Sequence, residues 1–194
     1  MLVKLAALGW VIAAAAMAGL WAWQRLRPDE RIGVATWPAV VGGLAVLYAT
    51  LGDGEWARRS AIAWMMGSWG ARLAVQEIYT RAAHPAERAG HSRPLWYFQA
   101  LAAAALAASL PALLASQSRQ GALSIAELAA CGLWVVGFAG ETTADRQRLR
   151  FTANPANRGL QCRTGLWRYG RRPDRLFEAM MWAAFTIFGL TALY

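Results

Sequence analysis

Two stretches of this chain bring together side chains able to do chemistry. The first is Arg72, Gln76, Glu77 and Tyr79, set in an otherwise apolar run. Ionisable groups at membrane depth are costly unless they pair, snorkel to the interface or face a cavity. Arg72 and Gln76 are one helical turn apart, as are Glu77 and Arg81, so each pair can lie along one helix face. Glu127, near the outer end of another apolar run, reads as an interfacial charge. The second stretch runs from Gly140 to Asp174, and nine arginines lie between Arg146 and Arg175, the last just past its end, interleaved with Asn154, Asn157, Trp167 and Tyr169. Guanidinium groups grip phosphate oxygens by two parallel hydrogen bonds, and aromatic faces receive flat rings. The same composition also suits a cytoplasmic loop that touches anionic lipid headgroups. Both readings stand on composition alone.

The elements that must position these groups are membrane helices. Apolar residues form 57% of the 194-residue chain and charged residues 16%, whereas soluble domains carry about 25% charge to keep a hydrated surface. Eleven Trp suit the headgroup boundary, where the ring is buried and the N–H meets water. A net charge of +9 in short segments between apolar runs, rather than on one soluble face, argues against nucleic acid. The partners it implies are membrane lipids and other integral membrane proteins. Cys131 lies in an apolar run and Cys162 in the basic segment, which makes a disulfide unexpected, and no metal-ligand spacing occurs.

Six runs approach the roughly 20 residues a crossing needs: Leu2 to Trp23, Gly33 to Leu51, Ser60 to Tyr79, Leu95 to Ser116, Ala122 to Gly140 and Leu176 to Tyr194. Each has to be helical, because only a helix satisfies its own backbone in hydrocarbon. The expectation is an all-α, polytopic bundle of about six transmembrane helices forming one membrane domain over 1–194, with an Arg-rich loop at about 141–175. The first run also has the outline of a secretory signal, but Arg25, Arg27 and Arg31 behind it suit a retained anchor. Alternate loops carry fifteen Lys and Arg against four. The positive-inside rule therefore predicts an inner-membrane protein with the N-terminus and Tyr194 outside and the Arg-rich loop cytoplasmic. Turns are expected at Arg27-Pro28-Asp29, Gly52-Asp53-Gly54, His84-Pro85 and Arg93-Pro94, and a kink at Pro111. Dense alanines in the first and fourth runs allow close helix packing.

Ala144-Asp145-Arg146-Gln147, then Asn154-Pro155-Ala156-Asn157-Arg158-Gly159, then Thr164-Gly165-Leu166-Trp167-Arg168-Tyr169 resemble the C-terminal signature of bacterial membrane reductases similar to steroid 5-alpha-reductase. Weaker likeness extends to Trp69-Gly70-Ala71-Arg72-Leu73 with Arg81, and to Gln99 with Ser109-Leu110-Pro111. The resemblance implies NADPH held at the cytoplasmic end of the bundle and hydride passed to a C=C bond conjugated with a carbonyl. Carried over by position, Asp145, Gln147, Asn157, Arg158, Arg168, Tyr169, Arg171 and Glu178 would line the cofactor site. Glu77 or Tyr79 would act as the catalytic donor that polarises the carbonyl. No metal is implied.

The chain departs from this pattern where the family reads Ser-Arg-His-Pro-Asn-Tyr-Phe-Gly-Glu and this sequence reads Gly170-Arg171-Arg172-Pro173-Asp174-Arg175-Leu176-Phe177-Glu178. Arg172 replaces a neutral ring by a fixed charge, and Asp174 replaces an amide by a group that repels phosphate. Arg175 removes a phenol, and Phe177 fills space held open by Gly. The family also continues with a further membrane segment, whereas this chain ends at Tyr194, so a short form is expected. These departures favour a non-catalytic scaffold or accessory subunit of a membrane complex. The alternative is an active NADPH-dependent reductase of a lipid-soluble enone, and a third reading is an isoprenylcysteine-type methyltransferase.

Overall fold

A computed structural model describes residues 1–26, 33–83 and 93–193. Among these residues there are seven α-helices and no strand: α1 (Leu2–Leu26), α2 (Gly33–Leu51), α3 (Trp56–Ala83), α4 (Leu95–Ala108), α5 (Leu110–Ala115), α6 (Ile125–Ala153) and α7 (Pro173–Thr191). The fold is all-α. Two helices, α1 and α6, are long and apolar enough to cross a membrane, and only 22% and 28% of their most apolar stretches are buried. Exposed Trp23, Trp56 and Trp96 sit in the end turns of their helices, where indoles meet an interface. The turns expected at Arg27-Pro28-Asp29 and His84-Pro85, together with Arg31, Arg88, Tyr194 and the side chain of Arg81, lie outside the described residues.

The chain divides into two compact units, one made of Met1–Leu123 with Phe188–Tyr194 and the other of Ser124–Ile187. In the first unit α2 and α3 pack through small residues. A Cβ on Gly42 would stand 3.0 Å from the Met66 carbonyl, and one on Gly70 would collide with the Pro38 carbonyl. Trp69, fully buried, meets Trp37 edge-on at 6.3 Å. Gln99 donates to the Ala14 carbonyl at 3.3 Å and so ties α4 to α1. Buried Gln24 donates to the Arg93 carbonyl at 2.6 Å and accepts from its N–H at 3.2 Å.

Several boundaries differ from the apolar runs for identifiable reasons. α3 begins at Trp56 rather than Ser60 because the Gly52-Asp53-Gly54 turn is pinned by Gly54 and Glu55 N–H groups donating to the Ser116 and Ser118 carbonyls. Arg59 then donates to the Ala49 and Gly52 carbonyls, two of the acceptors that the end of α2 leaves unsatisfied. Arg58 is fully buried and donates to the Gln120 carbonyl at 2.9 Å. The expected kink appears as a break at Ser109, between α4 and α5, since Pro111 has no N–H to offer the preceding turn.

The largest difference concerns α6. Its start is fixed by a capping box: Ser124 Oγ accepts from the Glu127 N–H, and Glu127 returns a bond to the Ser124 N–H at 2.7 Å. Glu127 is thus a buried capping group. The helix then continues thirteen residues beyond Gly140 to Ala153, so the first third of the segment expected as loop is helical. It stops where Asn154 turns extended and Pro155 follows.

Candidate functional site

The second unit builds its site on the polar half of α6. Residues Arg148, Phe151 and Thr152 recur at helical spacing and share one face. Past the helix, Asn154 Oδ1 accepts from the Ala156 N–H at 3.0 Å, and the Asn157 amide donates to the Phe151 carbonyl at 2.8 Å. The chain thereby reverses and runs back along α6. Its return is anchored twice: Gln147 Oε1 accepts from the Leu166 N–H at 2.8 Å, and Trp167 Nε1 donates to the Ala144 carbonyl at 2.9 Å. Gly165 sits at φ +58, and a side chain there would strike the Gln147 amide. Glycine is required on both counts.

This reversal borders an open cavity of about 480 Å³, within the range of small-molecule sites. Five guanidinium side chains line it, from Arg148, Arg163, Arg168, Arg171 and Arg172, beside Trp167, Tyr169, Gln161 and Cys162. The Arg148 guanidinium lies 5.6 Å from the Trp167 ring and that of Arg168 lies 5.8 Å from the Tyr169 ring, a contact that holds cations without neutralising them. Among the described residues no carboxylate lines the cavity. The arrangement suits a ligand that carries several negative charges and an aromatic surface.

Of the residues read from the sequence as cofactor ligands, Arg168, Tyr169 and Arg171 line this cavity. Gln147 and Asn157 instead hold its walls through backbone bonds. Arg158 is exposed and outside the lining, and Asp145 is half-buried on α6, also outside it. Glu178 on α7 is half-buried and acts electrostatically on Arg172. Glu77 and Tyr79 belong to the first unit, with Tyr79 73% exposed, whereas the cavity lies wholly within the second. Arg148, Arg163, Gln161 and Cys162 are lining residues that the sequence reading passed over. For Arg148 a signal existed, because extending the helix through Ala144 and Gln147 puts it on the same face.

Membership is now decidable. The model of a family described as proteins of unknown function, DUF1295, matches residues 20–194. The chain belongs to this family. The family is steroid-reductase-like, in keeping with the motifs around Asp145 and Trp167. Neither a curated protein nor a solved structure matches the chain. The match spans the whole cavity-forming segment of this family member. Among the described residues no group of three or more His, Cys, Asp or Glu is placed to hold a metal ion.

Two of the departures from the reductase pattern compensate each other. Arg172 Nε lies 3.1 Å from Asp174 Oδ1, and Nη2 lies 2.9 Å from Oδ2. The negative charge of Asp174 is therefore engaged at the cavity edge. Phe177 does not fill the cavity either: its ring packs against Gly140 of α6, where a Cβ would collide with it. Partial burial would raise the Asp174 carboxyl, but hydrogen bonds from Arg172 and the Arg175 backbone and the charges of Arg172 and Arg148 outweigh it. The carboxyl sits below its ordinary value. A depressed carboxyl contributes stability that is present above its unfolded value, about 3.9, and is lost as pH falls through the lower folded value. Because Arg172 is half exposed, Asp174→Asn is expected to cost less than about 1 kcal/mol at neutral pH. Thermal melts of the two proteins should converge as pH falls below the folded value of Asp174.

Proposed function

We propose that this protein is a six-crossing membrane protein that binds NADPH through its phosphates in the arginine-lined cavity. The observation that carries this reading is that five arginines and three aromatic residues, Phe151, Trp167 and Tyr169, line one cavity of the second unit. The proposed topology places that cavity on the cytoplasmic side, by the positive-inside count. Helix α6 supports this: its 29 residues make it about 44 Å long against a hydrocarbon core of about 30 Å. Its polar end would stand clear of the membrane as a rigid post.

When bound, NADPH supplies a hydride for a conjugated C=C bond. The chain's own part is to clamp phosphates with Arg168 and Arg171 and to offer Tyr169 as a ring face. A second reading, a nucleotide-binding accessory subunit without turnover, is favoured by the absence of any carboxyl group from the cavity lining. Binding and turnover separate experimentally. Purified protein in detergent is expected to bind NADPH with micromolar affinity, and Arg171→Ala to weaken it by about tenfold or more, the worth of a charge-assisted phosphate contact. Unaltered binding in the variant, or none in the wild type, refutes the site. Binding without NADPH oxidation by lipid-soluble enones selects the accessory role.

A further inference from the structure

The pair formed by Arg172 and Asp174 has a geometry that a simple surface ion pair does not need. Asp174 occupies the Nε and Nη2 edge of the guanidinium through three contacts of 2.9 to 3.2 Å. A guanidinium has five N–H donors in a planar fork, so the Nη1 group and the second Nη2 hydrogen remain for another anion. Arg172 lines the cavity and keeps half its side chain accessible, whereas Asp174 is only 14% exposed and sits in the first turn of α7. The carboxylate is thus the fixed member and the guanidinium is held by it. Arg148, on α6, also bears electrostatically on Asp174, and Glu178 on Arg172.

We infer that Asp174 is a positioning residue that turns the free edge of Arg172 into the cavity as an additional phosphate fork, fitting the site to a ligand with a diphosphate or more than one phosphoryl group. This rests on the nucleotide reading only for the identity of the ligand; the fork itself requires a phosphoanion of that class. It also changes the sign of an expected effect. If Asp174 acted only by its charge, it would repel phosphate, and removing the charge would tighten binding. As a positioning group it does the reverse, because a loosened guanidinium must be ordered again when the anion arrives.

A double-mutant cycle decides between the two. The probe is inorganic pyrophosphate, titrated calorimetrically into the full chain in detergent, with NADPH measured in parallel. Asp174→Asn is expected to weaken pyrophosphate binding by about fivefold when Arg172 is present, and to change nothing in the Arg172→Gln background. Arg172→Lys, which keeps the charge but lacks the fork, should lose a similar factor, and it serves if the Asp174 variant does not fold. Tighter binding in Asp174→Asn, equal weakening in both backgrounds, or a lysine as good as the arginine overturns the inference, as does wild type that binds no pyrophosphate. Should pyrophosphate obey the cycle while NADPH fails to bind, the fork stands and the dinucleotide reading falls.

Discussion

Trp167→Ala is expected to dissolve the cavity and, with it, anion binding. The indole is 8% exposed, its N–H holds the Ala144 carbonyl at 2.9 Å, and its ring carries the Arg148 guanidinium. Removing a buried aromatic side chain costs about 3–5 kcal/mol, a large share of what a small unit has to spare. Trp167→Phe separates the components: it keeps most of the packing and deletes one buried hydrogen bond, a loss of about 1 kcal/mol. The check is hydrogen exchange of residues 154–172. Alanine should bring fast exchange there while α6 up to Gly140 stays protected, and phenylalanine should leave protection nearly intact. Wild-type protection in Trp167→Ala would show that the two backbone contacts of Gln147 and Asn157 suffice to hold the return.

Helices α1 and α2 could be read directly from the length of their apolar runs, and Gly33–Leu51 emerged with the same ends in the structure. The end of α6 could not be found that way. Hydrophobicity stops at Gly140, but a helix stops where its backbone loses partners, and the sequence signal for that was Asn154-Pro155, which begins fourteen residues later. The site divides along the same line. Arg168, Tyr169 and Arg171 belong to a recognisable motif and do line the cavity, whereas Arg163 and Gln161 enter it only because the chain folds back on α6. Gln147 and Asn157 were assigned as ligands by position from the resemblance, and in the structure Gln147 Oε1 accepts from the Leu166 N–H and the Asn157 amide donates to the Phe151 carbonyl. The compensation of Arg172 by Asp174 was equally hidden. Each substitution taken singly reads as damage to the site, and only their contact shows that they form a unit.

Gly70→Leu is expected to be the most damaging change in the first unit. The motif Trp69-Gly70 that resembles the reductases has a packing basis here: Trp69 is fully buried against Trp37, and Gly70 lets α3 close on the Pro38 carbonyl of α2. In the proposed membrane topology, helices gain no hydrophobic drive from meeting each other, so close contact of backbones through small residues supplies the attraction. A Cβ at Gly70 would meet a carbonyl of the backbone rather than a movable side-chain tip, and a whole isobutyl group forces the helices apart. Overpacking typically costs about 1–3 kcal/mol where the neighbours can yield; here the neighbour is main chain, and a greater loss is expected. Gly43→Leu provides the internal comparison, since a Cβ at Gly43 on α2 meets nothing within 4 Å. In detergent, Gly70→Leu should lower the melting temperature or yield aggregated protein on size exclusion, while Gly43→Leu elutes and melts like the wild type. Equal behaviour of the two variants would mean that α2 and α3 are not held by this contact.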